Sequence, residues 1–222
     1  MNDPEKAARV GPIEEVDLLA PCVPSKIVAM AINFSGIDGY SADMEEPMVF
    51  VKPTTCVCGP GTVISNPFPG LPMWGEAELA VVVGDIAPNC SEVDARSGIF
   101  GFTIANDMTV ENIEDRDHHL ARSKCPDNFC PIGPWIDTEF DSSDCLIEAI
   151  QNGELIRAGR SSDQVWQWPK IISWLSTWMT LNPWDLVITG NPPDIGGLRL
   201  LSPGDEYTSR VEGLGELTIT IN

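Results

Sequence analysis

The segment Glu76-Ala-Glu-Leu-Ala-Val-Val-Val-Gly84 decides how this chain is read. Its run of Leu79, Ala80 and three valines, closed by Gly84, has the composition and length of a strand. Strand side chains repeat every two residues, so Glu76 and Glu78 point to one face. Two like charges at the head of an apolar run are unfavourable unless something neutralises them, and a cation does so.

Outward from this strand the chain is mostly β. Lys26 to Ile32, Met48 to Lys52, Ile99 to Ala105, Pro131 to Ile136 and Asp185 to Thr189 read as strands. Leu146 to Ile150 and Glu154 to Arg157 flank Gln151-Asn152-Gly153, a hairpin turn, and residues 203–221 read as two closing strands. Helical signals are few: a turn at 92–97 and apolar residues at helical spacing over 166–180, with Pro169 in the first turn. Residues 33–46 and 108–128 are polar loops, the latter with at most one helix. Strands and helices do not alternate as a doubly wound sheet requires. The fold class is therefore α+β, predominantly β, with few short helices. Residues 1–24 form an N-terminal arm or edge element, and 25–222 form one domain. The strand at 99–105 ends near Asp107, which could supply a third oxygen ligand beside Glu76 and Glu78; by spacing alone the three acids also read as solvated strand ends. Three carboxylates without Cys or His suit a hard ion, Mg²⁺ or Mn²⁺, with Ca²⁺ also accommodated.

The 222 residues carry 33 acidic and 13 basic side chains, a formal net charge of −20. Such a surface repels phosphate backbones, which argues against nucleic-acid partners. It also repels an anionic substrate at long range, so a site for one needs its own local cations. No stretch is apolar enough to span a bilayer, and no signal peptide opens the chain, so a cytoplasmic protein without a membrane partner is expected. The seven cysteines are odd in number and irregular in spacing, which fits reduced thiols better than a disulfide framework. Cys56-x-Cys58 has no second pair or nearby His, so buried structural thiols are favoured over zinc.

Residues 26 to 221 resemble the fumarylacetoacetate hydrolase family. The resemblance is carried by KIVAMAIN (26–33), FVKP (50–53), EAELAVVVG (76–84), GFTIAND (101–107), KCPDNFCPIGPW (124–135), NGE (152–154), LSTWMTLNP (175–183), DLVITGNP (185–192) and PGD (203–205), in that order and spacing. It implies a twisted, mostly β roll or sandwich, commonly dimeric, with 25–222 as the catalytic domain. It implies that Glu76, Glu78 and Asp107 hold Mg²⁺, Mn²⁺ or Ca²⁺. It also implies that Lys124 is catalytic and substrate-binding, and that Thr189 and Gly190 bind substrate. The implied substrate is a small oxo or enol acid, and KCPDNFCPIG is similar to the branch of 2-hydroxyhepta-2,4-diene-1,7-dioate isomerases and 5-oxopent-3-ene-1,2,5-tricarboxylate decarboxylases.

Two departures narrow the reaction. The family's His and Glu in the first loop fall here on Ile37 and Tyr40, which cannot activate a water. The family's substrate-binding Arg after the Asp falls on Glu111. His118 and His119, in the loop between Asp107 and Lys124, are the candidate replacement bases; Asp38 and Asp43 in the first loop are others. The reaction expected is isomerisation or tautomerisation of an enol or 2-oxo (di)carboxylic acid through a metal-held enolate. The alternatives are a C–C hydrolase or decarboxylase, and a non-catalytic or biosynthetically recruited homologue.

Overall fold

The computed structural model describes residues 11–222, so the first ten residues of the expected arm lie outside the described residues. The strands in chain order are β1 (Ile27–Ala31), β2 (Met48–Lys52), β3 (Val57–Cys58), β4 (Val63–Ile64), β5 (Met73–Trp74), β6 (Ala77–Val83) and β7 (Ile99–Asn106). They continue with β8 (Thr109–Val110), β9 (Cys130–Asp137), β10 (Leu146–Gln151), β11 (Glu154–Arg160), β12 (Leu186–Ile188), β13 (Glu206–Val211) and β14 (Gly215–Ile221). Among the described residues three α-helices accompany them: α1 (Glu92–Gly98), α2 (Ala121–Lys124) and α3 (Trp168–Ser176). The predominantly β reading holds. The two-residue strands β3, β4, β5 and β8 are too short to leave a period in the sequence.

A seven-stranded mixed sheet runs in the order β2-β1-β12-β6-β7-β9-β3. Its outermost strands, β2 and β3, are joined by only residues 53–56. Four residues span at most about 14 Å, so the sheet curls until its edges approach. Strand β6 is buried along its whole length. Leu79, Val81 and Val83 join the large core shared with the second sheet, while Ala80 and Val82 join a smaller core with Ile27, Ala29, Ala105, Ile132 and Ile188. The small residues line the inside of the curl. By alternation Glu78 lies on that inner face, as does Asp107 two residues beyond Ala105.

The second sheet has the order β11-β10-β13-β14-β4. Asn152 and Gly153 both have positive φ, 51° and 81°, as the tight β10–β11 turn requires. Tyr207 of β13 is fully buried with its ring against Gly75, where a Cβ would lie 2.6 Å from the ring. Only glycine admits that contact. All seven cysteines are unpaired, and no helix among the described residues is long and apolar enough to cross a membrane.

Asp185 ties the parallel neighbours β1 and β12 together. Its Oδ1 accepts from Ser25 N (3.1 Å), Ser25 Oγ (2.6 Å) and Lys26 N (3.1 Å), its Oδ2 accepts from Asn182 N (2.8 Å), and Lys26 Nζ is ion-paired to it. Burial alone would raise this carboxyl, but Lys26, Ser25 and Asn182 outweigh it and hold the group below its ordinary range. A carboxyl depressed in the native state contributes stability above its unfolded value of about 3.9, and that contribution fades as pH falls through the native value. Asp185→Asn is expected to lose about 2–3 kcal/mol at neutral pH, with the deficit shrinking below about pH 4. Urea midpoints across pH measure it; a midpoint unchanged at pH 7 would refute the anchoring role.

Candidate metal centre

Strand register assembles the carboxylate cluster. In the antiparallel β6–β7 pair Ala77 faces Asn106 and Glu78 faces Ala105, so Glu76 lies opposite Asp107, and Asp107 N donates to Glu76 O (2.9 Å). On the other side of β6, Ile188 of β12 faces Ala80. The chain leaving β12 therefore runs past Leu79 to Glu78, where Gly190 N donates to Glu78 Oε2 at 2.5 Å. Gly190 has φ 92°, and a Cβ there would come within 2.8 Å of the Asn33 side chain. One carboxylate oxygen from each of Glu76, Glu78 and Asp107 lies within 4.8 Å of the other two.

Two lysines enter this cluster. Lys124 Nζ donates to Glu76 Oε2 (2.6 Å) and Asp107 Oδ2 (2.7 Å). Lys52 Nζ is paired with Asp107 Oδ1 and donates to Phe129 O (2.9 Å). Trp74 Nε1 donates to Glu76 Oε1 (2.7 Å), and Asn106 Oδ1 accepts from Glu76 N (2.9 Å). Glu78 and Asp107 are each 1% exposed and Lys52 is 0% exposed. Charges withdrawn from water this far must be compensated inside the site.

Compensation is uneven. Burial, then the neighbouring Asp107 and Glu76, push the Glu78 carboxyl well above the ordinary range, against the pull of Gly190 N–H and Lys124. Burial would also raise Asp107, but Lys124 and Lys52 outweigh it and keep that carboxyl below its ordinary value. Burial would lower Lys124, but Asp107 and Glu76 outweigh it and raise the ammonium. Among the described residues no lysine or arginine is bonded to Glu78. Three oxygens at this spacing can each approach one ion at about 2.0–2.6 Å. The all-oxygen set with an under-compensated Glu78 fits Mg²⁺, Mn²⁺ or Ca²⁺.

Other residues expected in the site are placed differently. The resemblance assigns Thr189 to substrate binding. Thr189 is fully buried, its Oγ1 donates to Leu79 O (2.9 Å), and Gln164 Nε2 donates to it at 2.7 Å. Its single proton is thus committed to holding the β12 end against β6. Gly190, which the resemblance also assigns to substrate, donates its N–H to Glu78. His118 and His119 are exposed and border a cavity of about 440 Å³ with Met48, Phe50 and Val51, which contains none of the three carboxylates. The Phe50 ring also lies 5.3 Å from Lys124 Nζ, so that cavity adjoins the site without opening it. The reason is local. Asp117 accepts from the backbone N–H of Ala121 (3.0 Å), Arg122 (2.7 Å) and Ser123 (2.9 Å), which starts α2. The histidines are left on the outer turn while Lys124, at the end of that helix, is turned inward.

Glu76 borders a cavity of about 420 Å³ together with Ile37, Asp38, Trp74, Arg157 and Asp194. Ile37 puts an apolar side chain there. Asp38 is exposed and makes no side-chain hydrogen bond or ion pair among the described residues. Lys52 and Arg157 were not singled out from the sequence. A lysine ending the apolar stretch Met48–Val51 was the available signal for Lys52.

A family model described as "Fumarylacetoacetate (FAA) hydrolase C-terminal" matches residues 26–222. A solved structure of 5-carboxymethyl-2-hydroxymuconate delta-isomerase from Mycobacterium smegmatis is 34% identical with TM-score 0.87, covering 95% of this chain and 84% of that one. A 2-hydroxyhepta-2,4-diene-1,7-dioate isomerase structure from Mycobacterium marinum is 34% identical with TM-score 0.87, covering 97% and 81%. A mitochondrial oxaloacetate tautomerase of Homo sapiens is 31% identical over 92% of this chain and 69% of its own length.

Proposed function

This chain belongs to the fumarylacetoacetate hydrolase family, and on that premise we propose that it is a divalent-metal-dependent tautomerase or isomerase of a small 2-oxo or enol acid. The observation that carries the reading is the cavity wall itself. Glu76 of the carboxylate cluster, Ile37 and Asp38 border the same space, so the cluster meets a wall that offers one lone carboxylate as a base and, at Ile37, an apolar side chain in place of the water-orienting imidazole.

Glu76, Glu78 and Asp107 would hold Mg²⁺ or Mn²⁺, which supplies a Lewis acid for the carbonyl and carboxylate oxygens of a 2-oxo acid. The chain's own residues do the rest. A proton leaves the carbon beside the carbonyl and its electron pair passes to the carbonyl oxygen. Return of the proton to carbon gives the keto form, and to oxygen the enol. The Lys124 ammonium, kept protonated by Asp107 and Glu76, faces the negative charge that develops on that oxygen. Asp38, at the cavity wall with no partner of its own, carries the proton. A proton shift needs one modest base and no oriented water.

The test is to incubate the Mn²⁺-loaded chain with oxaloacetate, an acylpyruvate and 2-hydroxyhepta-2,4-dienedioate in D₂O. Carbon-bound deuterium, enol absorbance, carbon dioxide and acid products are followed separately. Deuterium uptake and keto–enol interconversion are expected to outpace cleavage, and Asp38→Asn is expected to slow them by about 10²-fold or more. Cleavage or carbon dioxide release faster than exchange would favour a hydrolase or decarboxylase instead. No turnover of any of the three would favour a non-catalytic homologue.

A further inference from the structure

The 420 Å³ cavity beside Glu76 contains a cation that the carboxylate cluster does not use, Arg157 of β11. Arg157 is 5% exposed. A register shift in the β10–β11 pair leaves Ile156 without a partner between Leu155 and Arg157. Consecutive strand residues should face opposite ways, yet Ile156 and Arg157 are both buried. The bulge has re-aimed the arginine, as bulges beside functional sites do.

The guanidinium is only partly committed. Nη2 meets Asp194 Oδ1 at 2.9 Å and Nη1 donates to Pro192 O at 3.2 Å. A guanidinium has five N–H groups in a rigid fork and binds a carboxylate best through two parallel bonds. Asp194 takes one, so most of the donor capacity is left over while the side chain lines the cavity. Lys52 and Lys124 are both tied to the carboxylate cluster. Arg157 is the one cation among the described residues that line this space. In a chain of formal charge −20, a dianion entering the cavity needs such a group. The position where the family carries a substrate-binding arginine holds Glu111, which is exposed.

We propose that Arg157 binds the distal carboxylate of the substrate, so that this site selects short oxo or enol dicarboxylates over monocarboxylates. The assignment rests on the tautomerase reading for the other end of the substrate. Asp194 is then an internal stand-in: it holds the guanidinium and competes with the incoming carboxylate.

That competition separates substrate binding from a merely structural anchor. Residues 194–195 pair with the edge of β11 through the Arg157–Asp194 bridge and Ile195 N to Ile156 O (2.8 Å). If Arg157 only pins this loop, removing either partner loosens the cavity for every substrate. Calorimetry on the Mn²⁺-loaded chain with 2-oxobutanoate and oxaloacetate decides between the two. The wild type is expected to prefer oxaloacetate by about tenfold or more. Arg157→Met should abolish the preference, raising the oxaloacetate Kd by about tenfold and leaving 2-oxobutanoate within about twofold. Asp194→Asn should tighten oxaloacetate. Equal weakening of both acids by Arg157→Met, or weaker oxaloacetate binding in Asp194→Asn, would overturn the proposal in favour of a loop anchor. Wild-type binding of both acids without preference would sink this inference alone. Binding of neither would remove the oxo-acid reading and this one with it.

Discussion

Glu78→Gln and Asp107→Asn are both expected to lose tight Mn²⁺ binding, yet to move the stability of the metal-free chain in opposite directions. Loss of a residue that only orients a metal ligand already costs about 10–100-fold in affinity, so loss of a ligand carboxylate should cost more than about a hundredfold. The stability effects differ because the two acids are compensated differently. Asp107 neutralises Lys52, which is fully buried and has only Phe129 O besides. Asparagine keeps the shape and removes the charge, leaving a buried ammonium uncompensated at a cost of about 3–5 kcal/mol. Glu78 has only Gly190 N–H and sits beside two other acids. Its carboxyl is raised in the native state, so ionising it above its unfolded value of about 4.3 destabilises the fold progressively as pH rises toward the native value. Glutamine removes that penalty. Metal-free Glu78→Gln should match the wild type near pH 4 and be the more stable protein at pH 8. Mn²⁺ titration by electron paramagnetic resonance and urea midpoints in chelator read the two effects. Unchanged affinity in both variants would refute the metal centre. Equal stability losses would refute the asymmetry between Asp107 and Glu78.

The asymmetry explains which parts of the site were legible in the sequence. Glu76 and Glu78 were readable because a strand has a strict period of two, and Asp107 because it ends a second apolar strand. The family resemblance then joined them. The β6–β7 register that sets Glu76 against Asp107 is long-range pairing, which local pattern does not encode. Lys52 illustrates the loss. Its strand is at the edge of the sheet order, and only the curl of the sheet carries its ammonium to Asp107 and Phe129 O. Arg157 was hidden by the β10–β11 bulge, since alternation alone cannot say that Ile156 and Arg157 are both buried. Thr189 and the two histidines show what residue type leaves out. Residue type and position along the chain suggested chemistry, but the hydroxyl proton of Thr189 closes the β12 end. Likewise, the turn built by Asp117 leaves His118 and His119 outside. The short strands β3, β4, β5 and β8 have two residues each, below the length at which periodicity exists.

Replacing Lys124 by methionine should separate metal binding from turnover. The four carboxylate oxygens of Glu76 and Asp107 all have donors: Trp74 Nε1 and Lys124 on Glu76, Lys52 and Lys124 on Asp107. A cation entering the cluster must share or displace the two bonds from Lys124, because that ammonium bridges the same pair of acids. Methionine fills much of the volume and withdraws the competing charge. Mn²⁺ should therefore bind the variant as tightly as the wild type or more tightly. The metal-free variant should be the less stable protein, since Glu76 and Asp107 lose their shared counter-ion, and Mn²⁺ should restore the difference by mass action. Turnover should fall by about 10²–10³-fold, the usual effect of removing one donor that faces a developing oxyanion. Arginine should not rescue it, because a planar fork cannot replace a point charge held between two carboxylates. Raising pH should not mimic the variant within the stable range, as the neighbouring acids hold the Lys124 proton more firmly than usual. Parallel loss of metal affinity and turnover in Lys124→Met would show that Lys124 organises the cluster instead of acting on substrate. Unimpaired turnover would remove Lys124 from the mechanism.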